Sequence, residues 1–205
     1  LPKDILSIEE MERVLVSPDP KTTIGIRDRA VMELLYSTGI RLGELSGLKR
    51  EDIYPGEDKL LIREAKGGRE RIVPVGNIAR QCLREYLAAA LPKLTEQGVR
   101  GSTPLTTRGG EITHLFLSKS GKRLQNYNIW EMVKKYGKKA GIVKRISPHS
   151  IRHTCATHML KGGADIRYIQ QLLGHRSIDT TQIYTRVETG DLKAVHERTH
   201  PRERR

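Results

Sequence analysis

Pro148-His149-Ser150-Ile151-Arg152 reads as the opening turn of a helix, because proline fits the first helical position and the periodic residues begin immediately after it. Working outward, the chain after Lys122 is helical in pattern up to Val187, with breaks at Gly141, Gly162-Gly163 and Gly174. Asp165 opens one of these helices and Leu172-Leu-Gly174 closes it, Gly174 suiting the left-handed position past a helix end. Leu115-Phe-Leu-Ser118 and the following Lys119-Ser-Gly-Lys122 read as a short strand and a turn.

Toward the amino end, Ser7 and Glu10 form a capping box ahead of the stripe Ile8, Met11, Val14 and Leu15. A second helix is expected over about residues 24–37, with Gly39 at its end and Arg41 near the start of the next. Lys59–Ala65 and Arg69–Val75 flank Lys66-Gly67-Gly68, the turn chemistry of a β-hairpin. From Asn77, taken as a cap, a helix is expected to about Leu91, and a loop rich in Gly, Thr and Pro follows over 98–114. The expected class is α+β, mainly α: one helical domain carrying a small antiparallel sheet.

Thirty-seven lysines and arginines stand against 24 acidic residues, a formal net charge of +13, so the surface field attracts polyanions. Charge alone does not name a ligand. Cys82 and Cys155 lie far apart and outside any metal-ligand spacing, and both read as small buried hydrophobes. No apolar run approaches the ~20 residues that span a bilayer, no signal peptide is visible, and a reducing, cytoplasmic setting fits. Neither a phosphate-loop motif nor a dinucleotide fingerprint appears, which argues against nucleotide use.

His149 and Arg152, three apart, share a helix face near the positive helix end, where a phosphate meets a dipole, a guanidinium and an imidazole together. Alone, His-x-x-Arg is more often a solvated face. A zinc reading of His149, His153 and His158 fails because Ser150 stands where a metalloprotease helix needs glutamate and Arg152 repels a cation. Further motifs give the pair its weight: Thr38-Gly-Ile-Arg41-Leu-Gly-Glu44 upstream, then Leu-Gly-His175, then Tyr184 nine residues on in Ser177-Ile-Asp-Thr-Thr-Gln-Ile-Tyr184. Together they hold two phosphate-charge stabilisers, a proton-moving histidine and a phenolic nucleophile. Among the other tyrosines, Tyr168 is the best rival by its basic neighbour, but it lacks the Thr-Thr context.

In this order the motifs resemble those of the tyrosine recombinase (phage integrase and Xer) family, over nearly all 205 residues. The resemblance implies that the chain is the family's catalytic domain, a site-specific recombinase that cuts and rejoins DNA through a 3′-phosphotyrosine and a four-way Holliday junction. It implies that Arg41 and Arg152 clamp the scissile phosphate, that His149 handles the phenolic proton, and that Lys66 protonates the departing 5′ oxygen. His175 would hydrogen-bond the transition state, Tyr184 would attack, and Glu44 would fix a catalytic cation. Metal and nucleotide cofactors are both dispensable on this reading, and the partners are duplex recombination sites and a homo- or hetero-tetramer on DNA. The opening Leu1–Glu10 resembles the point where the family's second domain begins, so a core-binding domain is expected to precede it in a longer protein. Residues 190–205 read as a helix and basic tail, which in the family packs on a neighbouring protomer; a solvated, frayed end is the plainer alternative. Two other functions compete: a type IB topoisomerase, and a DNA-binding module without catalysis.

Overall fold

The computed structural model describes residues 4–54, 56, 58–63, 70–100, 113–174 and 189–203, without the side chains of 98–100 and 189–191. Helix α1 (Ile8–Leu15) is opened by the expected capping box, Ser7 and Glu10 each accepting the other's backbone N–H. Helix α2 (Thr23–Thr38) is the centre of the domain: Ala30, Val31, Met32, Leu34 and Leu35 on successive faces are all fully buried. Its apparent polar interruptions are paired, Arg27 with Asp28 and Glu33 with Arg202. Around it stand α3 (Leu42–Gly47), α4 (Asn77–Glu85), α5 (Leu91–Arg100), α6 (Asn126–Lys139), α7 (Pro148–Lys161), α8 (Ile166–Leu173) and α9 (Thr189–Thr199). Strands β1 (Lys59–Arg63) and β2 (Glu70–Pro74) pair antiparallel, with Lys59 opposite Pro74 and Arg63 opposite Glu70. The segment between them, with Lys66, lies outside the described residues. No described helix is long and apolar enough to cross a membrane.

Two expectations are corrected and one alternative is set aside. Gly76, not Asn77, caps α4, and the helical path continues through a π turn at Tyr86–Ala90 into α5. There Leu91 donates to the Tyr86 carbonyl, and this wider turn carries the backbone past Pro92, which has no N–H to give. Leu115–Ser118 forms no strand, only isolated bridges from His114 to Lys49 and from Leu117 to Arg123. The Tyr86 hydroxyl takes the place of a strand partner, donating to the Leu115 carbonyl and accepting from the Leu117 N–H. The solvated-tail alternative also does not describe the chain through Glu203: His200 and Arg202 are buried, Arg202 pairing with Glu33 and Glu203 accepting from the N–H of Asn77.

The tail is seated by histidines. His196 Nε2 lies 2.7 Å from the Ser37 carbonyl oxygen, and since a carbonyl only accepts, Nε2 carries the proton and donates it. By the same logic His200 donates to the Tyr36 carbonyl and His158 to the Leu6 carbonyl. The Tyr36 hydroxyl then donates to His158 Nδ1. Burial holds all three imidazoles below their ordinary pKa, opposed only partly by these carbonyls; His158 also faces Lys161 and Glu9, His196 faces Glu197, and His200 faces Arg202. As pH falls below about 6.5 the unfolded chain therefore binds protons that the folded chain refuses, and stability present above that pH is lost. The buried Glu33 carboxyl, held above its usual range, acts in the opposite direction. Between pH 7 and 5.5, His200→Gln should lessen the pH dependence of unfolding free energy by up to about 1.4 kcal/mol per pH unit. Denaturant titrations at several pH values check this, and an unchanged slope contradicts it.

Candidate functional site

Two helix ends build the site. At the end of α2, Gly39 adopts the left-handed conformation (φ 59°), which favours glycine, and a Cβ there would meet Leu173 Cδ2 at 2.6 Å, so any side chain would also force Leu173 of α8 to move. Gly174, also left-handed (φ 65°), closes α8 in the same way. Reversing at Gly39 places Arg41 at the N-cap of α3, where its backbone N–H and its Nη1 both donate to Glu44, at 2.8 and 3.0 Å. Arg41 Nη2 reaches across to the Gly174 carbonyl at 2.7 Å.

Helix α7 supplies His149 and Arg152. Ser147 caps it by accepting from the Ser150 N–H, and Pro148 occupies its first turn as the sequence requires. Arg152 is only 7% exposed. Its Nη1 donates to the Gly39 carbonyl at 2.5 Å and its Nη2 to the Leu173 carbonyl at 2.8 Å, so both helix ends hold one guanidinium. Burial first, and then the neighbouring Arg41 and Arg71 cations, push its pKa down to about 10, with Glu44 opposing. It stays a cation at neutral pH. That is what a phosphate site requires, a charge already desolvated and fixed before the ligand arrives.

His149 is exposed on the same helix, its Nε2 2.8 Å from Nε2 of His153. One ring must accept, so the two are not both doubly protonated. Burial first, and then the neighbouring His149 and Arg152, hold the His153 pKa below its ordinary value. Arg41, His149, Arg152 and His153 open onto one cleft of about 700 Å³, lined also by Ile40, Ile169, Leu173 and Trp130 of α6. The structure thus brings together Arg41, His149 and Arg152, with Glu44 behind Arg41. Lys66, His175 and Tyr184 lie outside the described residues. Tyr168 does not serve as a rival nucleophile: its hydroxyl is buried, donates to the Leu192 carbonyl, and has its pKa raised by burial. Among the described residues no group of three or more His, Cys, Asp or Glu side chains is placed to hold a metal ion.

Sequence reasoning missed Arg71. Both its Nη atoms donate to Glu44, at 2.9 and 2.8 Å. Burial would raise the Glu44 pKa, but the donors from Arg71 and from the Arg41 backbone outweigh it and hold the carboxyl below its ordinary value, so Glu44 is ionised. The available signal was strand alternation, which puts Arg71 on the same face of β2 as the buried Val73.

The model of the phage integrase family matches residues 5–190. The chain is 41% identical over 202 residues to tyrosine recombinase XerD of Listeria monocytogenes serotype 4b (strain F2365), covering 98% of this chain and 64% of that protein. Among solved structures, the XerA recombinase superposes with a TM-score of 0.68 at 34% identity, over 94% of this chain and 63% of that one. XerH site-specific recombinase bound to its difH substrate in a pre-cleavage complex gives 0.67 at 25% identity, over 93% and 52%. The chain therefore spans less than two thirds of the length of these relatives.

Proposed function

From a chain that belongs to the phage integrase family, and so has the fold of a tyrosine recombinase catalytic domain, we propose a site-specific recombinase that breaks and rejoins DNA at a scissile phosphate bound between Arg41 and Arg152. The observation that carries this is their convergence: two guanidiniums from the ends of different helices, with His149, on one cleft. Tyr184 Oη attacks phosphorus, the P–O5′ bond breaks, and a 3′-phosphotyrosine forms while Lys66 gives a proton to the leaving 5′ oxygen. His149 handles the phenolic proton, and His175 donates to a non-bridging oxygen. Attack by a 5′ hydroxyl from the partner duplex reverses the step through a Holliday junction. The number of phosphodiester bonds is unchanged, so no nucleotide is consumed.

The partners on this reading are duplex recombination sites and further recombinase protomers assembled as a tetramer through the C-terminal tail, which would leave its seat on α2 and α4 to reach a neighbour, with the protein on cytoplasmic DNA. The similarity to Xer recombinases favours strand exchange over supercoil relaxation by a topoisomerase. The test is adduct formation: nicked duplexes with a randomised core are incubated with the chain, and denaturant-resistant protein–DNA products are recovered. Products are expected; their absence counts against the reading. A second expectation concerns Lys66. Lys66→Ala should be slow on an ordinary duplex yet largely rescued by a bridging 5′-thiol leaving group, because a thiolate departs without a proton. Equal defects on oxygen and sulfur would remove the general-acid role.

A further inference from the structure

Three consecutive carbonyls at the end of α8 each accept from a different arginine. Leu172 takes Arg71 Nε at 3.3 Å, Leu173 takes Arg152 Nη2 at 2.8 Å, and Gly174 takes Arg41 Nη2 at 2.7 Å. The last carbonyls of a helix lack intrahelical donors and carry its negative end, so the three cations satisfy a demand that the helix itself creates. Two of them, Arg41 and Arg152, face the cleft. Arg71 does not: its side chain is 18% exposed and it lines a separate hollow with Leu172.

We propose that Arg71 is a positioning residue for strand cleavage, acting on the phosphate site through Glu44 and α8 without touching DNA. The inference rests on reading the cleft as a phosphodiester site. Glu44 accepts four donors, two from Arg71 and two from Arg41, which uses the full capacity of its two oxygens. With Arg71 holding both oxygens, Glu44 takes only one guanidinium nitrogen of Arg41. Without Arg71, the carboxylate is free to grip Arg41 in a two-point fork, the geometry that arginine and carboxylate prefer, and to draw it away from the phosphate. Arg71 also packs under the α8 turn: a Cβ on Gly174 would lie 3.0 Å from its Cζ. It thereby ties β2, the strand that follows Lys66 in sequence, to the helix end that precedes His175.

The test is single-turnover adduct formation at saturating nicked duplex, alongside DNA affinity and thermal melting, for Arg71→Ala, Arg71→Lys, Glu44→Ala and the double variant. Arg71→Ala should slow adduct formation about 100-fold, as expected for a misplaced catalytic group, while DNA affinity changes by less than about threefold. Combining it with Glu44→Ala should add no further loss, since both remove one coupled device. Guanidinium ion in solution should restore part of the Arg71→Ala rate and none of the Tyr184→Phe rate. Should Arg71→Ala not fold, Arg71→Lys carries the same comparison, keeping a cation that cannot fork onto Glu44. A full rate at saturating DNA, an affinity loss matching the rate loss, or independent losses in the double variant each overturn the inference. No adduct with the unaltered chain instead overturns the functional reading, and the inference with it.

Discussion

Tyr184→Phe is expected to form no denaturant-resistant DNA adduct while binding DNA almost as the unaltered chain does. Phenylalanine keeps the ring and loses only the oxygen that would bond to phosphorus. An ordinary phenol, with a pKa near ~10, is a weak nucleophile at neutral pH. On the proposed reading the cleft would give it cationic surroundings: Arg152 is buried and charged, Arg41 is half exposed beside it, and His149 also lines the cleft. Gel separation after denaturation measures the adduct and filter binding measures affinity. An adduct that persists in Tyr184→Phe would assign the nucleophile elsewhere.

The second large effect belongs to the arginines. Arg152→Ala and Arg41→Ala should each slow cleavage by several hundredfold or more, since removing one preorganised donor to a developing oxyanion costs roughly 3–4 kcal/mol of transition-state stabilisation. Their effects on the fold should differ. Arg152→Ala strands the buried Gly39 and Leu173 carbonyls and should lower stability by about 1–3 kcal/mol. Arg41, with a side chain 41% exposed, frees a carbonyl that water can reach, so its loss should leave melting almost unchanged. Rates at saturating DNA, read with denaturant titrations, separate the two. Cleavage that falls only in proportion to affinity would make both residues anchors of the DNA backbone.

Much of this site was legible because helix ends announce themselves. Gly39 and Gly174 were readable as left-handed terminators, Asp165 and Ser7 as caps, and each stands so in the structure. Those same ends supply the carbonyls that aim Arg41 and Arg152, yet nothing in a one-dimensional pattern says that the ends of α2 and α8 meet. That contact depends on Gly39 admitting Leu173, a long-range packing fact. Arg71 was hidden for a related reason. Among the several cations of the hairpin it differs only in facing Glu44, and the pairing needs β2 folded back onto α3. Composition left the tail open to a solvated reading, but Glu33, buried in α2, requires a cation, and Arg202 supplies it.

The most direct test of the central claim is to digest the protein–DNA adduct and locate the attached nucleotide by mass spectrometry. The account predicts a phosphodiester between Tyr184 Oη and the 3′ end of the cleaved strand, with a free 5′ hydroxyl on the released piece. A nucleotide on any other residue, or one joined through its 5′ phosphate, would contradict it.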